Sequence, residues 1–171
     1  MKSSASPTAS ITGPAAGPAT DTAAQVLRQF RQVFNAVKTH FQQVERKVGM
    51  GGAQIWALSV VRDRPGIGIG DLSRAMDIHQ STASNLVKVL VERELVVAGK
   101  YGDDRRAVQL RLLPAGAKVL KRSPGPYTGV LPLALGTLDD KTLKRMEKDL
   151  ARLIAALKAD PSAGGVPLAE L

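Results

Sequence analysis

Residues 69–96, IGDLSRAMDIHQSTASNLVKVLVERELV, contain two helical patterns parted by a three-residue connection, and that arrangement decides the fold. Asp71 to Met76 reads as one to two turns packing Leu72, Ala75 and Met76. Asp77, Ile78 and His79 connect it to a second helix from Gln80 to Glu94. On that second helix Ala83, Leu86, Val87 and Leu90 share one face, while Ser81, Ser84, Asn85 and Lys88 fall at i, i+3, i+4 and i+7 on the other. The first stripe suits a core. The second is short, polar and cationic, and side chains of that kind exchange hydrogen bonds with base edges in a major groove, while free amides at the helix start can meet a phosphate. The plainer reading of the same stripe is a solvated helix face.

The residues after this helix separate those readings. Leu95 to Ala98 reads as a short strand. Val108, Leu110 and Leu112 alternate with Gln109 and Arg111 as a half-buried strand does, so a β-hairpin is expected. Its tip sets Lys100, Arg105 and Arg106 beside Asp103 and Asp104, acids able to hold an arginine in one orientation. A wing that inserts an arginine into a minor groove needs that combination.

Upstream, Asp21 to Val48 carries apolar residues at helical spacing, with all three phenylalanines of the chain (Phe30, Phe34 and Phe41) among them. Gly51 and Gly52 break this long amphipathic helix, and Ala53 to Arg62 resumes as a short one bearing the single tryptophan, Trp56, before Pro65 and Gly66 end it. Residues 1–20, rich in Ser, Thr, Ala, Pro and Gly, read as a disordered tail, and residues 160–171 as a flexible one. The expected organisation is therefore an N-terminal helix over 21–48, a candidate DNA-binding lobe over 51–113 and C-terminal helices over 114–159, the two flanking parts being those to which the resemblance described below gives a dimerisation role.

The 171 residues are 44% hydrophobic and 23% charged, enough apolar material for a core, and 24 Lys and Arg against 15 Asp and Glu leave a net charge of +9. That excess favours a polyanionic partner through counterion release. No run of about 18 apolar residues supports a membrane span and the first twenty lack the apolar stretch of a secretory signal, so no membrane partner is expected and the expected compartment is the cytoplasm. Without cysteine there is no disulfide framework or thiolate metal site.

With these residues in view, the sequence resembles the MarR family of winged helix-turn-helix transcriptional regulators. The likeness runs from about Ala53 to Gly116, through residues 69–96 and then DDRRAVQLRLLPAGAKVL at 103–120. The second segment is the more specific: an Asp-x-Arg formed by Asp104 and Arg106, then alternating apolar residues, then Gly116 at the start of the next helix. The resemblance implies a mainly α winged helix-turn-helix fold, with Gln80 to Lys88, including Thr82, in the major groove and Arg106, held by Asp104, in the adjacent minor groove. It also implies a homodimer built from the first and last helices, and a small-molecule effector pocket between the dimer region and the DNA-binding lobe.

An independent sign of dimerisation lies near the end of the chain. Thr137 with Asp140 forms a capping-box-like start, and Leu143, Met146, Leu150, Leu153 and Leu157 then repeat in a 3-4-3-4 pattern. Burial within one subunit is the competing reading of so short a seam. The chain departs from the family at Glu94, where a glycine often closes the recognition helix, at Leu113, where a threonine often ends the wing strand, and over Ser123 to Pro132, which must interrupt the helix after the wing.

Other chemistries are poorly supported. Gly66, Gly68 and Gly70 lack the Lys-Ser/Thr of a phosphate loop and read as a turn. The only histidines, His40 and His79, have no carboxylates at ligand spacing, so no metal or other cofactor is expected, and no nucleophile stands in a triad context, so no enzyme is expected. His79 reads as a surface cap that can also donate to a phosphate. His40, Phe41 and Trp56 are candidates to border a ligand pocket, against the plainer reading of packed residues. The leading expectation is an effector-responsive repressor that binds a palindromic operator in double-stranded DNA as a homodimer. The alternatives are an architectural or RNA-associated winged helix that binds without sequence choice, and a winged helix used as a protein-interaction scaffold.

Overall fold

The computed structural model describes residues 18–100 and 108–170. The chain divides into two units, Met1–Val33 and Phe34–Leu171. In the first, the described part is the N-terminal half of helix α1 (Pro18–Val48). It begins ahead of the expected Asp21, with Pro18 in a first turn where a missing N–H costs nothing and Asp21 near the positive helix end.

The second unit is organised around α2 (Gly52–Asp63), whose Ile55, Leu58 and Val61 are fully buried. Against it lie α3 (Ile69–Met76), α4 (Gln80–Glu92), strand β2 (Gln109–Leu112) and α5 (Pro114–Arg122). Leu72, Met76, Leu86, Val87 and Leu90 join one core with α2, as the helical spacing of residues 69–96 requires.

Both helices of the pair end through left-handed residues. Asp77 has φ +52°, its N–H bonding Arg74 O at 3.3 Å while Ile78 N–H reaches Ser73 O at 3.0 Å. Glu94 has φ +55°, with Glu94 N–H to Val91 O and Leu95 N–H to Leu90 O, both 2.9 Å. These paired bonds satisfy carbonyls that a helix end leaves open, and they close α4 two residues before the expected Glu94.

Strand β1 (Val96–Gly99) pairs antiparallel with β2 in the register Val96↔Leu112 to Gly99↔Gln109. On the far side of β2, Leu110 accepts from Gly66 N–H and donates to Ile67 O, each at 2.9 Å. The glycine-rich stretch is thus the turn expected of it, Gly66 supplying φ +86°. Gly116, on the first turns of α5, lies so close to Leu95 O that an added Cβ would overlap it.

The interruption expected over Ser123 to Pro132 is present: α5 stops at Arg122, and α6 (Val130–Leu135) and α7 (Asp140–Leu157) come after it. Tyr127 fastens the break by donating to Leu120 O at 3.0 Å. The start of α7 differs from expectation. Thr137 Oγ1 donates to Ala134 O at the end of α6, and the cap is Asp139, which accepts from Thr142 N–H at 2.9 Å and from its hydroxyl at 2.8 Å.

A second correction concerns residues 160–170 of the segment expected to be a flexible tail. Instead of a free tail, Pro161–Gly165 and Leu168–Glu170 form two 3-10 turns, Pro167 is buried and Ala169 packs against the core. Asp160 caps the first turn through Ser162 N–H at 2.9 Å, and His79 N–H bonds Gly165 O at 3.1 Å. The segment is held by the surface it meets, which offsets the entropy its own composition could not.

Candidate nucleic-acid interface and adjoining cavity

Helix α4 presents the arrangement its sequence implies. Ala83, Leu86, Val87 and Leu90 are buried; Gln80, Ser81, Asn85 and Lys88 are exposed; Thr82 and Ser84 are intermediate. Ser84 Oγ donates back to Gln80 O at 2.9 Å, so towards an outside partner it acts as an acceptor. Lys88 keeps a loose pairing with Glu92 at 4.0 Å, and its side chain is 75% exposed. An exposed pair of this kind is worth little, so the ammonium can exchange it for a phosphate.

Lys100 is exposed at the end of the described hairpin, whereas Asp104, Arg105 and Arg106 lie outside the described residues. His79 has the extended backbone of an N-cap, φ −61° and ψ 144°, but its side chain makes no cap bond. Its Nε2–H instead donates to Ser162 O at 2.7 Å.

Beside the lobe lies a cavity of about 290 Å³. Phe41 and Trp56 line it, together with Met76, Ile78, Tyr127 and Pro132, and residues 166–169 form part of the wall. His40 is not among the lining residues. It is buried, its Nε2 bonds Pro126 O at 3.1 Å, and its ring meets Phe41 edge-on at 5.3 Å, so it positions Phe41 and the 123–129 break.

Gly52 and Gly129 bring two backbones against Phe41. A Cβ at Gly52 would overlap the ring, and one at Gly129, where φ is +96°, would stand 3.0 Å from Cζ. Sequence reasoning treated Gly52 only as a helix breaker and did not find Tyr127 or residues 166–169. The aromatic Tyr127 beside Pro126 was the one signal in the sequence; for 166–169 there was none.

One ion pair closes the end of α2. Arg62 grips Asp63 through two bonds of 2.7 and 3.1 Å and lies 5.3 Å over the Tyr127 ring. The guanidinium hydrogen bond holds the Asp63 carboxyl below its ordinary range. Among the described residues no group of three or more His, Cys, Asp or Glu could hold a metal ion, and no helix is long and apolar enough to cross a membrane.

A helix pair joined by a tight turn and followed by an antiparallel hairpin defines a winged helix-turn-helix protein. Residues 48–107 are similar to the family model described as "MarR family". The chain is similar to an uncharacterized HTH-type transcriptional regulator, YsmB, of Bacillus subtilis (strain 168), 24% identical over 135 residues that cover 79% of this chain and 92% of that protein.

Among solved structures, a MepR-like protein complexed with pseudoligands superposes with a TM-score of 0.53 at 18% identity, covering 78% of this chain and 92% of the other. An S. aureus MepR–DNA complex also gives 0.53, at 16% identity, covering 78% and 95%. At such identities the structures speak for the fold, and the mainly α winged-helix architecture expected from the sequence is the one found.

Proposed function

We propose that the protein is a transcriptional regulator that binds double-stranded DNA sequence-specifically as a homodimer, represses by occupying a palindromic operator, and responds to a small apolar effector. The observation that carries this reading is the outer face of α4, where Gln80, Ser81, Asn85 and Lys88 stand exposed while the opposite stripe fixes the helix to the core. The side chains are short and varied enough to discriminate base edges in a major groove, which a merely basic surface does not do. Asp104, Arg105 and Arg106 are assigned to the wing by family resemblance, with Lys100 beside them.

Two exposed apolar faces support the dimer. On α7, Met146, Leu150, Leu153, Ile154 and Leu157 are exposed, Leu157 to 68%; on α1, Val26, Leu27, Val33 and Phe34 are exposed, Phe34 to 60%. Rows of this kind on two helices call for burial against another surface. The effector reading rests on the aromatic and aliphatic cavity bordered by Phe41 and Trp56, whose volume is near the lower end of small-molecule sites.

Selection of bound duplexes from a random pool at physiological salt tests the reading. A two-fold symmetric consensus with half-sites about one helical turn apart is expected. Enrichment of no sequence in spite of binding would turn the assignment to an architectural protein.

A further inference from the structure

Residues 160–170 and His79 form a contact that the proposed function does not use. The backbone N–H of His79 donates to Gly165 O at 3.1 Å and its ring donates to Ser162 O at 2.7 Å, so both donors of the residue that opens α4 are engaged by one segment. Gly165 lies flat on the imidazole: an added Cβ would stand 2.6 to 2.8 Å from Nε2, Cδ2 and Cε1. Two residues further on, Pro167 is buried, and residues 166–169 close part of the cavity. Two residues before Ser162, the Asp160 carboxylate accepts from Ser162 N–H at 2.9 Å and fixes the turn that carries the Ser162 carbonyl.

We propose that residues 160–170 are an intramolecular strap that occupies the hydrogen-bond donors of His79 at the start of the recognition helix, so that duplex DNA is bound by the form in which the strap has let go. The proposal rests on the reading of α4 as the DNA-reading helix. A sugar-phosphate backbone approaches a recognition helix at its N-terminal end, where ring and amide donors meet phosphate oxygens. Here those donors already have carbonyl partners, Gly165 O and Ser162 O.

The strap is also built to release. It is fastened by two hydrogen bonds, the buried Pro167 and the packing of Ala169 against the core beside α2, while Pro161 to Gly164 are exposed. His79 keeps an exposed surface and Gln80, Ser81 and Asn85 are exposed beside the strap, so it governs the His79 donors that would meet a phosphate and leaves base reading alone. Its release therefore tightens binding to all duplexes by a common factor.

The test uses the full chain and two substitutions that leave its charge unchanged, Gly165→Val, which drives a side chain into the imidazole, and Pro167→Asn, which places an amide in the buried proline site. Release is read from hydrogen exchange of the His79 amide and from its ring resonances, resolvable because the chain has two histidines. Folding is read from far-UV circular dichroism, and affinity is measured at one fixed salt on a random duplex and on a pool-selected one.

The expected result is loss of His79 protection together with at least about threefold tighter binding of both duplexes by a similar factor, since apparent affinity scales with the competent fraction. A freed His79 with unchanged or weaker binding, the wild type still binding, overturns the strap and leaves the DNA reading intact. A freed His79 with no duplex bound by any form overturns both. An unprotected His79 amide in the wild type, or unfolding of both variants, shows that the segment is not a releasable strap and overturns it as well.

Discussion

Gly116 lies against Leu95 so closely that a Cβ built on it would overlap the Leu95 carbonyl oxygen and crowd Leu112 Cδ1 at 2.7 Å, which leaves no room for a methyl group. Leu113 N–H bonds the same Leu95 carbonyl at 2.9 Å, so the first turns of α5, the end of β2 and the start of β1 converge on one peptide unit. Gly116→Ala therefore forces α5 away from the hairpin and is expected to cost about 1–3 kcal/mol as an overpacked site does. Urea denaturation measures it, and an unchanged midpoint would contradict the close approach.

Glu94 occupies a left-handed position without being glycine. Glu94→Gly removes the Cβ strain there and is expected to raise stability by about 0.5–1 kcal/mol, less than the full strain because glycine loses more backbone entropy on folding. A lower thermal midpoint would show that the Glu94 side chain contributes something its exposure does not suggest.

The cap of α7 titrates. Hydrogen bonds from Thr142 hold the Asp139 carboxyl below its ordinary range. A depressed folded value means the contribution is present at and above the ordinary carboxylate range and is lost as pH falls through the lowered value. Asp139→Ala is expected to lower the thermal midpoint at neutral pH and to flatten its decline in acid, whereas Asp139→Asn should retain more of the cap. Parallel acid curves for wild type and Asp139→Ala would contradict this.

The exposed stripe of α7 makes assembly measurable. Leu150→Glu with Leu153→Glu puts two charges on that face and is expected to convert a dimer to monomers in sedimentation velocity at micromolar concentration while leaving the helix signal intact. A monomeric wild type removes the homodimer from the account.

Arg106 is assigned to the minor groove by resemblance. Arg106→Ala is expected to weaken binding to every duplex and to reduce the slope of log affinity against log salt by about 1. An unchanged slope takes the wing off the DNA.

The two faces of α4, the hairpin, the break after Arg122 and the stripe on α7 were legible in the sequence because each is written in local periodicity or in a helix-breaking residue. Glu94 and Gly116 stood out as family positions, and the structure gives their physical reasons, a left-handed helix end and a close approach to Leu95. What was misread depends on distant partners. Thr137 and Asp139 both have capping side chains, and only the end of α6 decides that Thr137 is already engaged. His40 sits next to Phe41 in sequence, yet Pro126, 86 residues away, draws its ring to the 123–129 break. Residues 160–170 have a tail's composition, and the surface around His79 and α2 orders them.

The central claim is that the outer face of α4 reads bases, and Asn85 is the side chain on it best suited to a bidentate contact with adenine. The most direct measurement is the affinity of wild type and Asn85→Ala, at one salt concentration, for a pool-selected duplex and a scrambled one. The account predicts a loss of about 1–3 kcal/mol on the selected duplex and almost none on the scrambled one. Equal losses on both would contradict it.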